Sequence, residues 1–282
     1  AIGVTAGLFP WTGSSAPNWQ GDYTLNSDVQ RAIGVAITAN RLNHIDNYTQ
    51  VIEDFWDTGV ANASNPEHLN WLITGSDHEL FTEGIRGSLF PTHIGPWGSR
   101  TEHYNEARDY WCSPANGTMV LQPLIQYYKA TLDEEYLTET LYPMVREQAN
   151  FWVDYAEKDE VTGKYNIYGA TYESSTAYKN ATLDLASAEF MLKNAISFSE
   201  HLGADADLRA QWKEVHDNLA EYPTKNGYYI EDERGADPRT SSCFNVYGFA
   251  FYDLVGPSSS QEEKDKILTW LENKQEFGTS DK

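Results

Sequence analysis

Three polar residues stand out by type and surroundings. Glu173 lies in Tyr168-Gly-Ala-Thr-Tyr-Glu-Ser-Ser-Thr-Ala-Tyr178, with no Lys or Arg within four residues. A glutamate among aromatic rings and away from cations loses solvation, so its pKa rises, as a general acid requires. The competing reading is a solvated loop carboxylate. Asn26 and Asp28 stand at a loop-to-helix junction in Trp19-Gln-Gly-Asp-Tyr-Thr-Leu-Asn26-Ser-Asp28. Helix capping and catalysis both fit them, since Asn and Asp cap helices well. Trp19, Trp97, Trp111 and Tyr172 fall in irregular stretches. Such rings offer flat faces to the C–H side of a sugar and polar edges to its hydroxyls. Carboxylates in loops of this kind are natural acids and bases for cleaving a glycosidic bond.

Other chemistries find little support. His93 and His103 are isolated, without HExxH or comparable spacing, and no metal site is expected. GxGxxG, P-loop, GxSxG and CxxC motifs are missing from the sequence, so no cofactor is expected either. Cys112 and Cys243 show no metal spacing and read as buried free thiols. The 282 residues carry 42 Asp+Glu against 20 Lys+Arg, for a net charge of −22. Phosphate binding needs a basic face, so nucleic acid is excluded as a partner and an anionic membrane is disfavoured. Nine Trp, 18 Tyr and 11 Phe are too many for a disordered acidic chain. No run of 18 apolar residues exists, and Ala1–Leu8 is not an intact signal peptide. Four sequons (Asn47, Asn62, Asn116, Asn180) matter only in a eukaryotic secretory path. The acidic, aromatic composition suits a secreted or cell-surface bacterial protein.

The elements that must position these residues are helical. Val29, Ala32/Ile33, Ala36/Ile37 and Leu42 recur at three- or four-residue spacing and predict a helix from Asn26 onward. A second is predicted over 45–57 with Gly59 as its stop, and Ser76-Asp77-His78-Glu79 reads as a capping box opening another. Residues 84–115 break the pattern with Gly, Pro and aromatics, and a structureless stretch of this length is usually functional. Helices are predicted over 117–130 and 134–157, then near 181–201, 205–219, 243–254 and 261–273. The last is opened by Ser260-Gln-Glu-Glu263. Residues 158–180 read as an aromatic loop, and strand signals are confined to Lys164–Tyr168 and Gly227–Ile230. The fold class is therefore all-α, built of helical hairpins. No Pro/Gly/Ser linker divides the chain, so residues 1–282 read as one domain.

Taken together, these segments resemble the catalytic domain of glycoside hydrolase family 95, whose known members are mainly inverting α-L-fucosidases and α-L-galactosidases. Trp19-Gln-Gly-Asp-Tyr-Thr-Leu-Asn-Ser-Asp-Val-Gln30 follows the family's W-x-G-x-Y-T-L-N-I-N-x-Q. Asn116–Tyr128 after Trp111, and Asp133–Asp154, resemble two of its helices, and Ala170-Thr-Tyr-Glu-Ser-Ser sits where the family has P-S-x-S-P-E. The resemblance implies an (α/α)6 toroid of six hairpins. The helices expected here fall short of its twelve, so the chain reads as lacking the last hairpin and as part of a longer protein with additional domains.

Carried over by position, the resemblance makes Glu173 the general acid and puts Asn26 and Asp28 on two asparagines that hold the attacking water. Trp111 falls on a sugar-contacting tryptophan, and Arg239 on the arginine of R-H-x-S-H-x-Y-G. Trp19, His93, Trp97 and Tyr172 complete the expected sugar-binding set. Asp28 departs from the family asparagine, and a carboxylate there can take the water's proton directly. The implied activity is exo-acting, inverting release of a terminal sugar from an oligo- or polysaccharide. Inversion requires carboxyls roughly 6.5–9.5 Å apart with water between them. A retaining glycosidase or arabinosidase of another six-hairpin family, and a non-catalytic carbohydrate-binding toroid, are the alternatives.

Overall fold

The computed structural model describes residues 22–25, 28–99, 113–170, 177–234, 248–249 and 251–273. These form an all-α assembly of packed helices, with strands of only two or three residues in the connections. Helix α1 (Asp28–Thr38) turns through a short 3-10 segment into α2 (Ile45–Ala63), and α3 (Pro66–Leu72) follows. Helix α4 (Asn116–Thr131) leads to α5 (Glu134–Tyr136), which runs through a π-helical turn (Leu137–Leu141) into α6 (Tyr142–Tyr155). Helices α7 (Thr182–Leu202), α8 (Ala206–Asp217) and α9 (Gln261–Asn273) complete the described set.

The layering follows from burial. Every residue of α4 from Asn116 to Ile125 is buried, so that part of α4 is an inner helix, and only its last turns, at Lys129 and Ala130, reach solvent. Helix α1 packs against it, and α7 packs against both α6 and α8. One continuous core joins these helices through residues such as Ile33, Phe55, Leu121, Trp152, Met191 and Trp212. Its large rings find partners for their polar atoms. Trp152 Nε1 donates to Thr118 Oγ1 at 2.8 Å, and Trp212 Nε1 to Asn150 Oδ1 at 3.0 Å. Tyr228, Ile230 and Trp270 form a small separate cluster under α9.

Three sequence expectations are corrected. Gly59 does not stop α2, which continues to Ala63. A Cβ at Gly59 would lie 3.3 Å from both the Phe90 ring and Ser88 Cβ, so this glycine admits a neighbouring segment rather than ending a turn. Ser76–Glu79 opens no helix. Ser76 Oγ donates to Ile73 O at 2.6 Å and accepts from His78 N at 3.3 Å, closing the turn that follows α3. Residues 158–180 are not a plain loop. Strands β3 (Glu157–Lys158) and β4 (Tyr165–Asn166) pair, as do β5 (Tyr168–Ala170) and β6 (Ala177–Lys179). The Ser260–Glu263 box does open α9: Ser260 N donates to Glu263 Oε2 at 2.9 Å, and Glu263 N to Ser260 Oγ at 3.3 Å. Of the helix expected over 243–254, the described residues Gly248, Phe249 and Phe251 are helical and residues 252–254 are not, while Cys112 and Cys243 lie outside the described residues.

Candidate active site

The segment before Asn26 is fixed by pairing with a distant one. Strand β1 (Tyr23–Thr24) runs antiparallel to β2 (His93–Ile94), with Thr24 opposite His93. Leu25 N extends the ladder to Thr92 O at 2.7 Å, and Gln30 in α1 donates to Leu25 O at 2.6 Å. The chain is therefore held on both sides of residues 26 and 27. His93 is buried, and its Nδ1 lies 3.0 Å from Asp22 Oδ1. A carboxylate on one ring nitrogen sets which way the imidazole faces.

The start of α4 joins the same cluster. Asn116 Nδ2 donates to Phe90 O at 3.2 Å and approaches Thr92 Oγ1 at 3.5 Å. Two residues earlier, Pro114 faces Gly169 of β5, where an added Cβ would lie 2.7 Å from Pro114 Cγ and 2.4 Å from Asp184 Oδ2. Asp184, in the first turn of α7, is thus drawn to the same end of the molecule. Its carboxyl is fully buried, with neither oxygen bonded among the described residues, and burial pushes its pKa up to about 8.

The hairpin of β5 and β6 is anchored from the other side as well. Asn180, in a left-handed conformation at φ 55°, exchanges bonds with Ile167 and donates to Asn166 Oδ1 at 2.9 Å and Glu233 Oε1 at 2.7 Å. Arg234 is paired with the fully buried Asp232 and lies 3.0 Å from the centre of the Tyr178 ring. Thr182 N and Oγ1 bond the backbone carbonyls of Glu231 and Ile230. Strands of two or three residues are marginal alone, and these side chains supply what the ladders lack.

The sequence-predicted site residues divide unevenly over this frame. His93 is placed in it, at the junction of β1, β2 and α4. Asp28 is the first residue of α1, three positions beyond Leu25. Trp97 stands apart, 87% exposed, in a 3-10 turn at φ 57°. Gly98 beside it fits against Asp54 O, where a Cβ would come within 2.2 Å. Trp19, Asn26, Trp111, Tyr172, Glu173 and Arg239 lie outside the described residues. Among the described residues, no group of three or more His, Cys, Asp or Glu side chains could hold a metal ion.

Asp22, Asn116 and Asp184 are polar groups outside the predicted site set, although Asn116 is one of the four sequons. Asp22 carried a faint signal, inside the amino-terminal motif. Asp184 carried none, since an aspartate in the first turn of a helix is an ordinary dipole partner.

The sequence model of the glycosyl hydrolase family 95 catalytic domain matches residues 7–231. The chain belongs to this family. Its helical hairpins are those of an (α/α) toroid of the glycosidase type. The chain is 34% identical over 189 residues to a periplasmic/secreted acid trehalase of Candida glabrata, a match covering 62% of this chain and 15% of that protein. It is 23% identical over 266 residues to a periplasmic acid trehalase of Saccharomyces cerevisiae (strain CEN.PK113-7D), covering 89% and 19%. The family 95 chain thus spans less than a fifth of the length of these curated relatives. Among solved structures, a putative kojibiose phosphorylase from the human microbiome is similar over 79% of this chain and 31% of its own, with 10% identity and a TM-score of 0.45.

Proposed function

We propose that the protein is an exo-acting, inverting glycosidase that releases a terminal sugar from an oligo- or polysaccharide. Glu173 protonates the leaving oxygen, and Asn26 and Asp28 hold the attacking water, with Asp28 able to accept its proton. One observation carries the reading beyond family membership. Asn116 and Pro114, two residues apart at the start of α4, touch the two segments from which the candidate base and acid spring. Asn116 meets Thr92, which binds Leu25 one residue before Asn26. Pro114 meets Gly169, four residues before Glu173. Both flanks start from one helix end, an arrangement that favours a single pocket.

The sugar follows from two sources. The family pattern points to an α-L-fucoside or α-L-galactoside. The Candida relative, an acid trehalase by name, favours an α-glucoside such as trehalose as a second reading. Both yeast relatives are named periplasmic, and secretion is proposed for this protein as well. Among the described residues, no helix is long and apolar enough to cross a membrane.

The test is hydrolysis of a panel of α-L-fucosides, α-L-galactosides and trehalose by wild-type and Glu173→Gln protein, with the anomer of the product read by NMR. Release of the opposite anomer, lost in Glu173→Gln, is expected. Full activity of the variant on every hydrolysed substrate removes Glu173 from the acid role. Saturable sugar binding without turnover would make the protein a carbohydrate-binding toroid instead.

A further inference from the structure

Asp184 is a polar group without a use in the scheme above. The residue is 1% exposed in the first turn of α7, and among the described residues neither carboxyl oxygen has a hydrogen-bond partner. A buried polar group is normally bonded, so an orphan of this kind asks for an explanation. Its neighbours are specific. Oδ2 lies 2.4 Å from where a Cβ of Gly169 would be, so β5 rests directly on the carboxyl and only glycine fits there. Gly169 is in register with Tyr178, over whose ring Arg234 is stacked, and the two strands are joined by residues 171–176, which include Glu173.

We propose that Asp184 is a positioning residue, the floor on which β5 lies at Gly169, and that it thereby sets where the strand ends leading into and out of residues 171–176 stand. The proposal rests on the reading of Glu173 as the general acid. The floor is firm while the carboxyl is uncharged, and burial alone pushes its pKa up to about 8. Among the described residues, no facing charge moves it. Strand β5 brings Gly169, with Tyr168 on its other face, and the approach to α4 brings Pro114. The turn at 231–234 carries Glu231, Asp232, Glu233 and Arg234, of which Asp232 pairs with Arg234 and Glu233 with Asn180. On α7 itself, Glu189 is bonded to Tyr222. Ionisation places a lone charge in this dry contact, and the contact must open to hydrate it.

Hydrogen exchange at Tyr168–Ala170 and Ala177–Lys179 in the full protein, expressed as protection factors across neutral to alkaline pH, reads the contact directly. Protection is expected to fall on the order of tenfold through the Asp184 titration in wild type. It should stay level in Asp184→Asn, which keeps the shape and does not ionise. Gly169→Ala should lower protection at every pH, because its methyl presses on the Asp184 carboxyl and lifts the strand whether or not that group is charged. Level protection in wild type, or an equal fall in Asp184→Asn, overturns the proposal. The wild-type profile decides alone where a variant does not fold. In turnover, the alkaline fall of kcat that Glu173 as general acid imposes on both proteins should be steeper in wild type than in Asp184→Asn. Exchange needs no substrate, so the two readings fail separately. An intact exchange result without hydrolysis sinks the glycosidase reading, and level exchange sinks the positioning role whatever the activity.

Discussion

His93 Nδ1 lies 3.0 Å from Asp22 Oδ1, a contact between buried side chains 71 residues apart in sequence. It locks the β1–β2 ladder from its flank and so holds the amino-terminal motif against the start of α4. Asp22→Ala leaves the imidazole buried without this acceptor. The expected loss of stability is about 2–4 kcal/mol, the usual range for stranding one member of a buried polar or charged pair. The check is a lower urea midpoint at unchanged slope.

Glu173→Gln should lower kcat by about 10²–10⁴ on an unactivated disaccharide, the usual worth of a general acid. A dinitrophenyl glycoside needs little protonation of its leaving group and should lose far less. Asp28→Asn should be slow on both substrates, since its place is with the water. Steady-state rates on the two substrate types separate the roles, and equal losses for both variants would erase the distinction.

Asp184 makes stability depend on pH in a direction that can be worked out. Its ordinary pKa of 3.8 applies in the unfolded chain, and folding raises it to about 8. Between those values the folded protein holds the proton more tightly than the unfolded one. This contribution is therefore complete below pH 3.8 and is lost as pH rises to about 8. The slope is at most about 1.4 kcal/mol per pH unit. Asp184→Asn should flatten that stretch, and denaturant titrations at several pH values in the window measure it.

Trp97 is 87% exposed, so its removal should leave stability within about 0.5 kcal/mol of wild type. As a sugar platform, its loss should raise KM by about 2–12-fold, matching the roughly 0.5–1.5 kcal/mol of an aromatic stacking contact. A KM unchanged in Trp97→Ala would take this residue out of the binding set.

Most helices were legible because their apolar faces repeat at helical spacing: Ile45, Tyr48, Ile52 and Phe55 are all buried as that period requires. What escaped was set by tertiary contact. Gly59 and Ser76 carry the residue types of a helix stop and a helix start, yet Gly59 gives room to Phe90 and Ser76 serves the turn behind α3. Helix α3 had a signal that went unread, since Asn65 caps it and Pro66 opens it. Around the candidate site, His93 could be picked out as an isolated histidine, though its contact with Asp22 could not. Asp184 could not be picked out, because its burial comes from segments distant in sequence, such as Gly169, that pack over the first turn of α7.

The amide nitrogens of Asn62, Asn116 and Asn180 are all spent inside the protein. Asn62 binds Leu89 O at 3.1 Å, Asn116 binds Phe90 O at 3.2 Å, and Asn180 binds Asn166 and Glu233. Those nitrogens are the atoms to which an oligosaccharide would be attached, and attachment precedes folding. A chain that acquired a glycan at any of the three could not close its core around it. Of the four sequons, Asn47 alone is exposed in the finished fold and able to carry one. Production in a host without asparagine-linked glycosylation should therefore give the larger fraction of chains that reach the native state.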